Sequence, residues 1–176
     1  MRRAALLLLV CAGAAAGAPA PAQSLAEAML AVHNRERALV GAPALAWDPR
    51  LAAQAAPWAR HLAQLGRLEH SSREARGATG ENLAMGTLGA FPAAALAGGW
   101  AAEKRDFVDG IFPQVSRTGD WRAVGHYTQM VWAGTGRIGC ATATGGGNLY
   151  LVCRYAPPGN VIGQRPFQRA EAPSHY

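Results

Sequence analysis

The sequence predicts one α+β domain, with helices first and a β-hairpin late. Three observations carry this: helical periodicity in the first half, strict alternation in two late runs, and no repeat or linker that would divide the chain. At 176 residues it is long enough for one domain with a core and short for two. Half of the residues are apolar, which excludes a disordered chain.

The first stretch stands outside that domain. Arg2 and Arg3 form a basic n-region, Ala4 to Val10 an apolar h-region, and small residues lead to Ala18-Pro19-Ala20-Pro21-Ala22. Two overlapping Ala-x-Ala matches place cleavage after Ala20 or Ala22, so residues 1–22 read as a removable leader and the product as exported, secreted or periplasmic. The h-region is too short to span a bilayer, and no later stretch holds about 18 unbroken apolar residues, so no transmembrane segment is expected. Cys11 lies within the h-region behind the bulky Val10, which argues against a lipid anchor. Loss of the leader removes two basic residues and no acid, so the formal charge falls from +6 to +4. The basic residues are nearly all Arg and are scattered, as on a solvated surface and unlike a nucleic-acid site. Cys140 and Cys153 remain, and one cysteine pair in an exported chain predicts one disulfide.

Ser24-Leu25-Ala26-Glu27 has the capping-box form, and Leu25, Met29, Val32 and Leu39 recur at roughly helical spacing, predicting a helix over 25–39 that ends at Gly41 and Pro43. Asp48 and Pro49 open a second helix, whose apolar face is Leu51, Ala55, Trp58, Leu62 and Leu65. Pro57 inside that pattern is expected to kink or split it, and Gly66 ends it. Residues 66–90 read as polar, Gly-rich loops around a short Glu81–Met85 segment, 92–105 as a helix weakened by Gly98-Gly99, 108–124 as an irregular loop, and 126–133 as a short helix. Trp47, Trp58, Trp100 and Trp132 read as core or semi-core residues.

Ile138, Cys140 and Thr142 alternate in one late run, and Leu149, Leu151, Cys153 and Tyr155 in the next, with Gly145-Gly146-Gly147-Asn148 as the turn. If Thr144 pairs with Leu149, Cys140 falls opposite Cys153, at a separation a disulfide can bridge. Pro157-Pro158-Gly159-Asn160 stops the second strand, and residues 168–176 read as a flexible tail.

Five stretches then fall in a recognisable order: His33-Asn34 with Arg37, Gly80-Glu81-Asn82, Trp100-Ala101-Ala102-Glu103-Lys104, Gly125-His126-Tyr127-Thr128-Gln129-Met130-Val131-Trp132 with Thr135, and Tyr150–Val161 around Cys153. Together they resemble the signatures of the CAP superfamily: cysteine-rich secretory proteins, antigen-5 allergens and plant pathogenesis-related proteins of class one. The match runs from about Leu25 to Phe167, within a domain placed at 23–167. The resemblance implies a three-layer α-β-α sandwich with a small, largely antiparallel sheet, and a disulfide joining the hairpin. Further disulfides of the plant members have no cysteines here, which leaves the 108–124 loop without a covalent brace.

The resemblance also implies a cleft of two histidines and two acids: His70, Glu81, Glu103 and His126, with Tyr127 and Gln129 as candidate lining. Imidazoles and carboxylates are ordinary ligands for Zn²⁺ or another divalent ion. Two imidazoles leave positions open, with Glu81 and Glu103 as orienting partners or, in a catalytic reading, the acids that carry the chemistry. A structural reading stands beside this one, in which the His–Glu contacts fix loops against helices and Glu81 pairs with His126. Ser71 and Ser72 lack the Gly-x-Ser-x-Gly turn of a serine hydrolase. His33 reads as a structural histidine near the apolar face of its helix, and His61 as solvated.

The functional expectation is an exported, monomeric binding module rather than a catalyst. Its partner is a small apolar ligand, such as a lipid or sterol, or a cell-surface component, and the Ala- and Gly-rich 93–99 stretch is a candidate lining. The alternatives are a metal-assisted hydrolase acting on peptides or cell-wall polymers, and a surface-interaction scaffold with an inert cleft.

Overall fold

The computed structural model describes residues 23–168; the expected leader and the tail beyond Gln168, with His175, lie outside the described residues. Helix α1 spans Leu25–Leu39. Its capping box is reciprocal: the Glu27 amide donates to Ser24 Oγ (3.2 Å) and the Ser24 amide to Glu27 Oε2 (2.8 Å). Strand β1 is the two-residue Ala46–Trp47, and helix α2 spans Pro49–Leu65, with the Arg50 amide donating to the Asp48 cap at 2.9 Å. The helix is not split at Pro57. Pro57 and Ala53, whose carbonyl the missing N–H leaves without a helical donor, lie on the exposed face, where water can take that carbonyl.

A one-turn helix α3 (Arg73–Arg76) is followed by strand β2 (Gly80–Thr87), helix α4 (Ala93–Ala102), 3₁₀ turns at Glu103–Asp106 and Trp121–Val124, and helix α5 (Gly125–Met130). Strands β3 (Arg137–Gly145) and β4 (Asn148–Ala156) form the late hairpin. The helix expected over 92–105 therefore tightens into a 3₁₀ turn at Glu103, and the one expected over 126–133 stops at Met130. Strand β2 corrects the loop reading of that region. Gly-Glu-Asn-Leu-Ala-Met-Gly-Thr has little intrinsic strand preference and becomes a strand by pairing with β4 along its own whole length.

The sheet order is β1-β3-β4-β2, parallel only between β1 and β3. Thr144 pairs with Leu149 and Cys140 with Cys153, the register the alternation implied. The cysteines form a disulfide across a Cα separation of 4.1 Å.

Alternation in β4 sorts its side chains between two layers. Leu151, Cys153 and Tyr155 face Met29 and Val32 of α1, Ala97 and Trp100 of α4, and Tyr127 and Met130 of α5. Tyr150 and Val152 face Ala55, Ala59 and Leu62 of α2. Small residues let α2 lie close on β3: a Cβ on Gly139 would stand 2.3 Å from the Ala52 amide nitrogen, and one on Gly145 2.2 Å from the Ala63 carbonyl oxygen. The three-layer α-β-α sandwich follows directly.

A buried cation ties the helical layer together. Arg37 Nη1 donates to the Met130 (3.0 Å) and Trp132 (2.9 Å) carbonyls, Nη2 to that of Thr135 (2.8 Å), and Nε to that of Pro43. Burial lowers its pKa to about 10, so it stays charged at neutral pH and pins α1 to the end of α5.

Candidate functional site

The four residues grouped by resemblance form two His–Glu pairs. His70 stands in the loop after α2, and its Nδ1 lies 2.7 Å from Oε1 of Glu81 on β2. His126 opens α5, and its Nδ1 lies 2.6 Å from Oε1 of Glu103, in the turn after α4. The pairing Glu81 with His126 is therefore corrected: Glu81 meets His70, and Glu103 takes His126.

The pairs are built differently. Glu103 Oε2 accepts the amides of His126 and Tyr127, each at 3.0 Å, which gives the first N–H groups of α5 an anionic acceptor. The His126 ring stacks on Trp100 with centroids 5.9 Å apart, and Trp100 Nε1 donates to the Leu83 carbonyl at 3.0 Å. Glu81 is buried against Arg154: Oε2 accepts from Arg154 Nη1 (2.7 Å) and Ser71 Oγ (2.8 Å), while Oε1 accepts the Ser71 amide (3.0 Å). Burial pushes the Glu81 carboxyl up, but the His70 bond, the Arg154 charge and the Ser71 bonds together hold it below the ordinary carboxylate range. The His70 side chain is 58% exposed and that of Glu81 1%.

Strand β2 brings the pairs to one end of the sheet. Glu81 holds the His70 loop, the next residue, Asn82, donates from Nδ2 to the His126 carbonyl at 3.1 Å, and Leu83 receives Trp100. Behind them His33 is fully buried, its Nδ1 2.7 Å from the Met29 carbonyl and its Nε2 2.8 Å from Tyr155 Oη. Burial lowers its pKa to about 4, so it is neutral at pH 7, as a structural histidine should be. His61 is exposed and stacks on Trp58 at 4.5 Å.

Ionised carboxylates only accept, so each imidazole in these pairs carries hydrogen on Nδ1 and, when neutral, a lone pair on Nε2. That suits an open, two-nitrogen divalent-ion set in which the carboxylates orient the rings. Both acids already accept N–H donors from elsewhere in the fold. Among the described residues, no three His, Cys, Asp or Glu side chains are grouped to hold an ion.

The candidate lining residues lie deeper. The Tyr127 ring packs edge-on to Phe107, and buried Gln129 accepts the Gly159 amide at 2.9 Å and donates to Thr135 Oγ1 at 3.3 Å. In the 93–99 stretch, Ala97 is buried in the helical-layer core, Ala93, Ala94 and Leu96 pack against it, and Gly98 and Gly99 border open space. An open depression of about 510 Å³, lined by Gly41, Ala133, Gln164, Arg165, Phe167 and Gln168, contains none of the four paired residues. Sequence reasoning passed over Arg154, although an arginine on the inward face set by Tyr150 and Val152 was a signal of a buried acid opposite it.

Residues 30–155 match the family model described as CAP, the cysteine-rich secretory protein family. The chain belongs to the CAP family. It is 38% identical over 147 residues to pathogenesis-related protein 1C of Nicotiana tabacum, covering 83% of each chain. Identity to pathogenesis-related protein 1 of Arabidopsis thaliana is 35% over 150 residues, covering 85% of this chain and 86% of the relative. Among solved CAP-like folds, NaASP2, crystallised with Zn²⁺, superposes with a TM-score of 0.68 at 26% identity, covering 88% of this chain and 92% of that one. BmVAL-1 gives 0.70 at 24% identity, covering 83% and 82%. Among the described residues no helix is long and apolar enough to cross a membrane.

Proposed function

We propose that this CAP protein is an exported binding module whose cleft holds a divalent ion, Zn²⁺ or a close equivalent, between His70 and His126. The observation that carries the reading is the pair of Nδ1–carboxylate contacts, 2.7 and 2.6 Å, which commit one nitrogen of each ring and present the other. Glu81 and Glu103 set tautomer and ring orientation, Trp100 fixes the plane of His126, and Arg154 keeps Glu81 ionised. A bound ion would supply an electrophilic point for an anionic or carbonyl oxygen of a ligand. Crystallisation of the related NaASP2 with Zn²⁺ supports the choice of metal. The leader-like first 22 residues and the family description as secretory support export. The occupant of the cleft is read as a small lipid or sterol-like molecule or a cell-surface component, with no turnover.

Calorimetric titration with Zn²⁺ tests the reading. The mature, oxidised protein is expected to bind with saturation, and His70→Ala or His126→Ala to lose about 10- to 100-fold in affinity, the order of a lost orienting partner or more. Equal heats in all three proteins would leave the pairs purely structural.

A further inference from the structure

The segment between α2 and β2 is attached to the body mainly through polar groups. Of residues 66–79 only Ser71 is buried, and it is polar; Leu68, the one large apolar side chain, is 41% exposed. A segment of this length normally holds its place through apolar burial or a backbone ladder. Among the described residues its backbone–backbone bonds are local: Gly66 to Leu62 at the helix end, Arg76 to Ser72, and Gly77 to Arg73.

Its ties to the body converge instead on a few polar groups. Glu81 receives His70 Nδ1, the Ser71 amide, Ser71 Oγ and, at 3.5 Å, Arg76 Nη1. Arg154 Nη1 donates to Ser71 Oγ (2.8 Å), and Trp58 Nε1 to the Glu69 carbonyl (2.9 Å). Gly66 (φ +75°) and Gly77 (φ +60°) bracket the segment, both with open space where a side chain would stand, so both can absorb a change of backbone angle. The body keeps its own closure without the segment, because all of β2 pairs with β4 and α2 packs on the hairpin.

We infer that residues 66–79 form a strap that opens and closes as a unit on an intact body, latched by the Glu81 carboxylate. Opening carries His70 away from the cleft and uncovers the Glu81–Arg154 pair and the Trp58 ring, so the His70 limb gates the site while the His126 limb stays in place. The opening of the strap stands on its own attachments; only the gating of the site rests on the metal reading.

Native-state tryptic digestion of the disulfide-intact protein tests it, because Arg67, Arg73 and Arg76 lie in the strap. Among the described residues the first cuts are expected at those three arginines, at a rate insensitive to low urea, since little surface is exposed on opening. Ser71→Ala, which removes the hydroxyl ties to Glu81 and Arg154, should speed these cuts about tenfold, and Trp58→Phe, which spares the latch, about threefold. Should one variant fail to fold, the other reports alone. First cuts at any other described residue outside 66–79, a rate rising steeply with urea as in global unfolding, or a folded variant cut at the wild-type rate would each overturn the proposal; cleavage after Arg169, in the tail, bears on neither outcome.

Discussion

The His126–Glu103 and His70–Glu81 pairs have the same chemistry and nearly the same Nδ1–carboxylate distance, yet opposite anchoring. In the first, the histidine belongs to a helix, stacks on Trp100, and shares its carboxylate with two backbone amides. In the second, the acid is the fixed member, buried against Arg154, and the histidine hangs on a segment with no apolar anchor. The difference teaches that a histidine–acid motif reports which side chains meet, while burial around the pair decides which partner is structural.

The largest expected effect falls on the fixed acid. Glu81→Gln leaves Arg154 buried without its counter-ion and should destabilise the fold by about 3 to 5 kcal/mol in urea or guanidinium unfolding. A loss similar to that of Glu103→Gln would erase the distinction between the pairs.

Acid titration reaches the His126 side next. His33, behind the Trp100 ring, has a pKa of about 4 folded against an ordinary 6.5, so the unfolded chain binds the extra proton between those values. Stability from this group is full above pH 6.5 and falls by about 1.4 kcal/mol per pH unit from 6.5 toward 4. The depressed Glu81 carboxyl adds its own loss as pH falls through the ordinary 4.5 and on toward its lower folded value. His33→Gln should flatten the slope of unfolding free energy across the upper part of that window; an unchanged slope would assign it elsewhere.

Glu103→Gln keeps an acceptor but loses its charge at the α5 amides and should cost about 1 to 2 kcal/mol by the same unfolding assay. His70→Ala is the mildest, about 1 kcal/mol, because it removes one hydrogen bond to the buried Glu81 carboxylate from a ring that is itself mostly exposed. A larger loss would show that the strap braces the body.

Legibility in the sequence follows the range of the interactions. Ser24 and Glu27 are three residues apart, Asp48 and Pro49 adjacent, and Cys140 and Cys153 joined through one tight turn, so local patterns were enough for both main helices and the hairpin register. Strand β2 was not legible, because its stabilisation lies in β4, about seventy residues later in the chain. The two-residue β1 depends likewise on β3. The four site residues were identifiable only through family resemblance, and their pairing was not, since Glu81 and Glu103 are each set by contacts that no spacing encodes. Arg37, with four carbonyl acceptors and no acid, left no signal beyond its place in a motif.

Nitrogen-15 NMR of the histidine rings during Zn²⁺ titration tests the proposed metal cleft most directly. The account predicts that the Nε2 resonances of His70 and His126 shift together to a common saturation point, that Nδ1 of both stays protonated, and that His33 does not move. Shifts confined to one of the two rings, or to exposed His61, would contradict it.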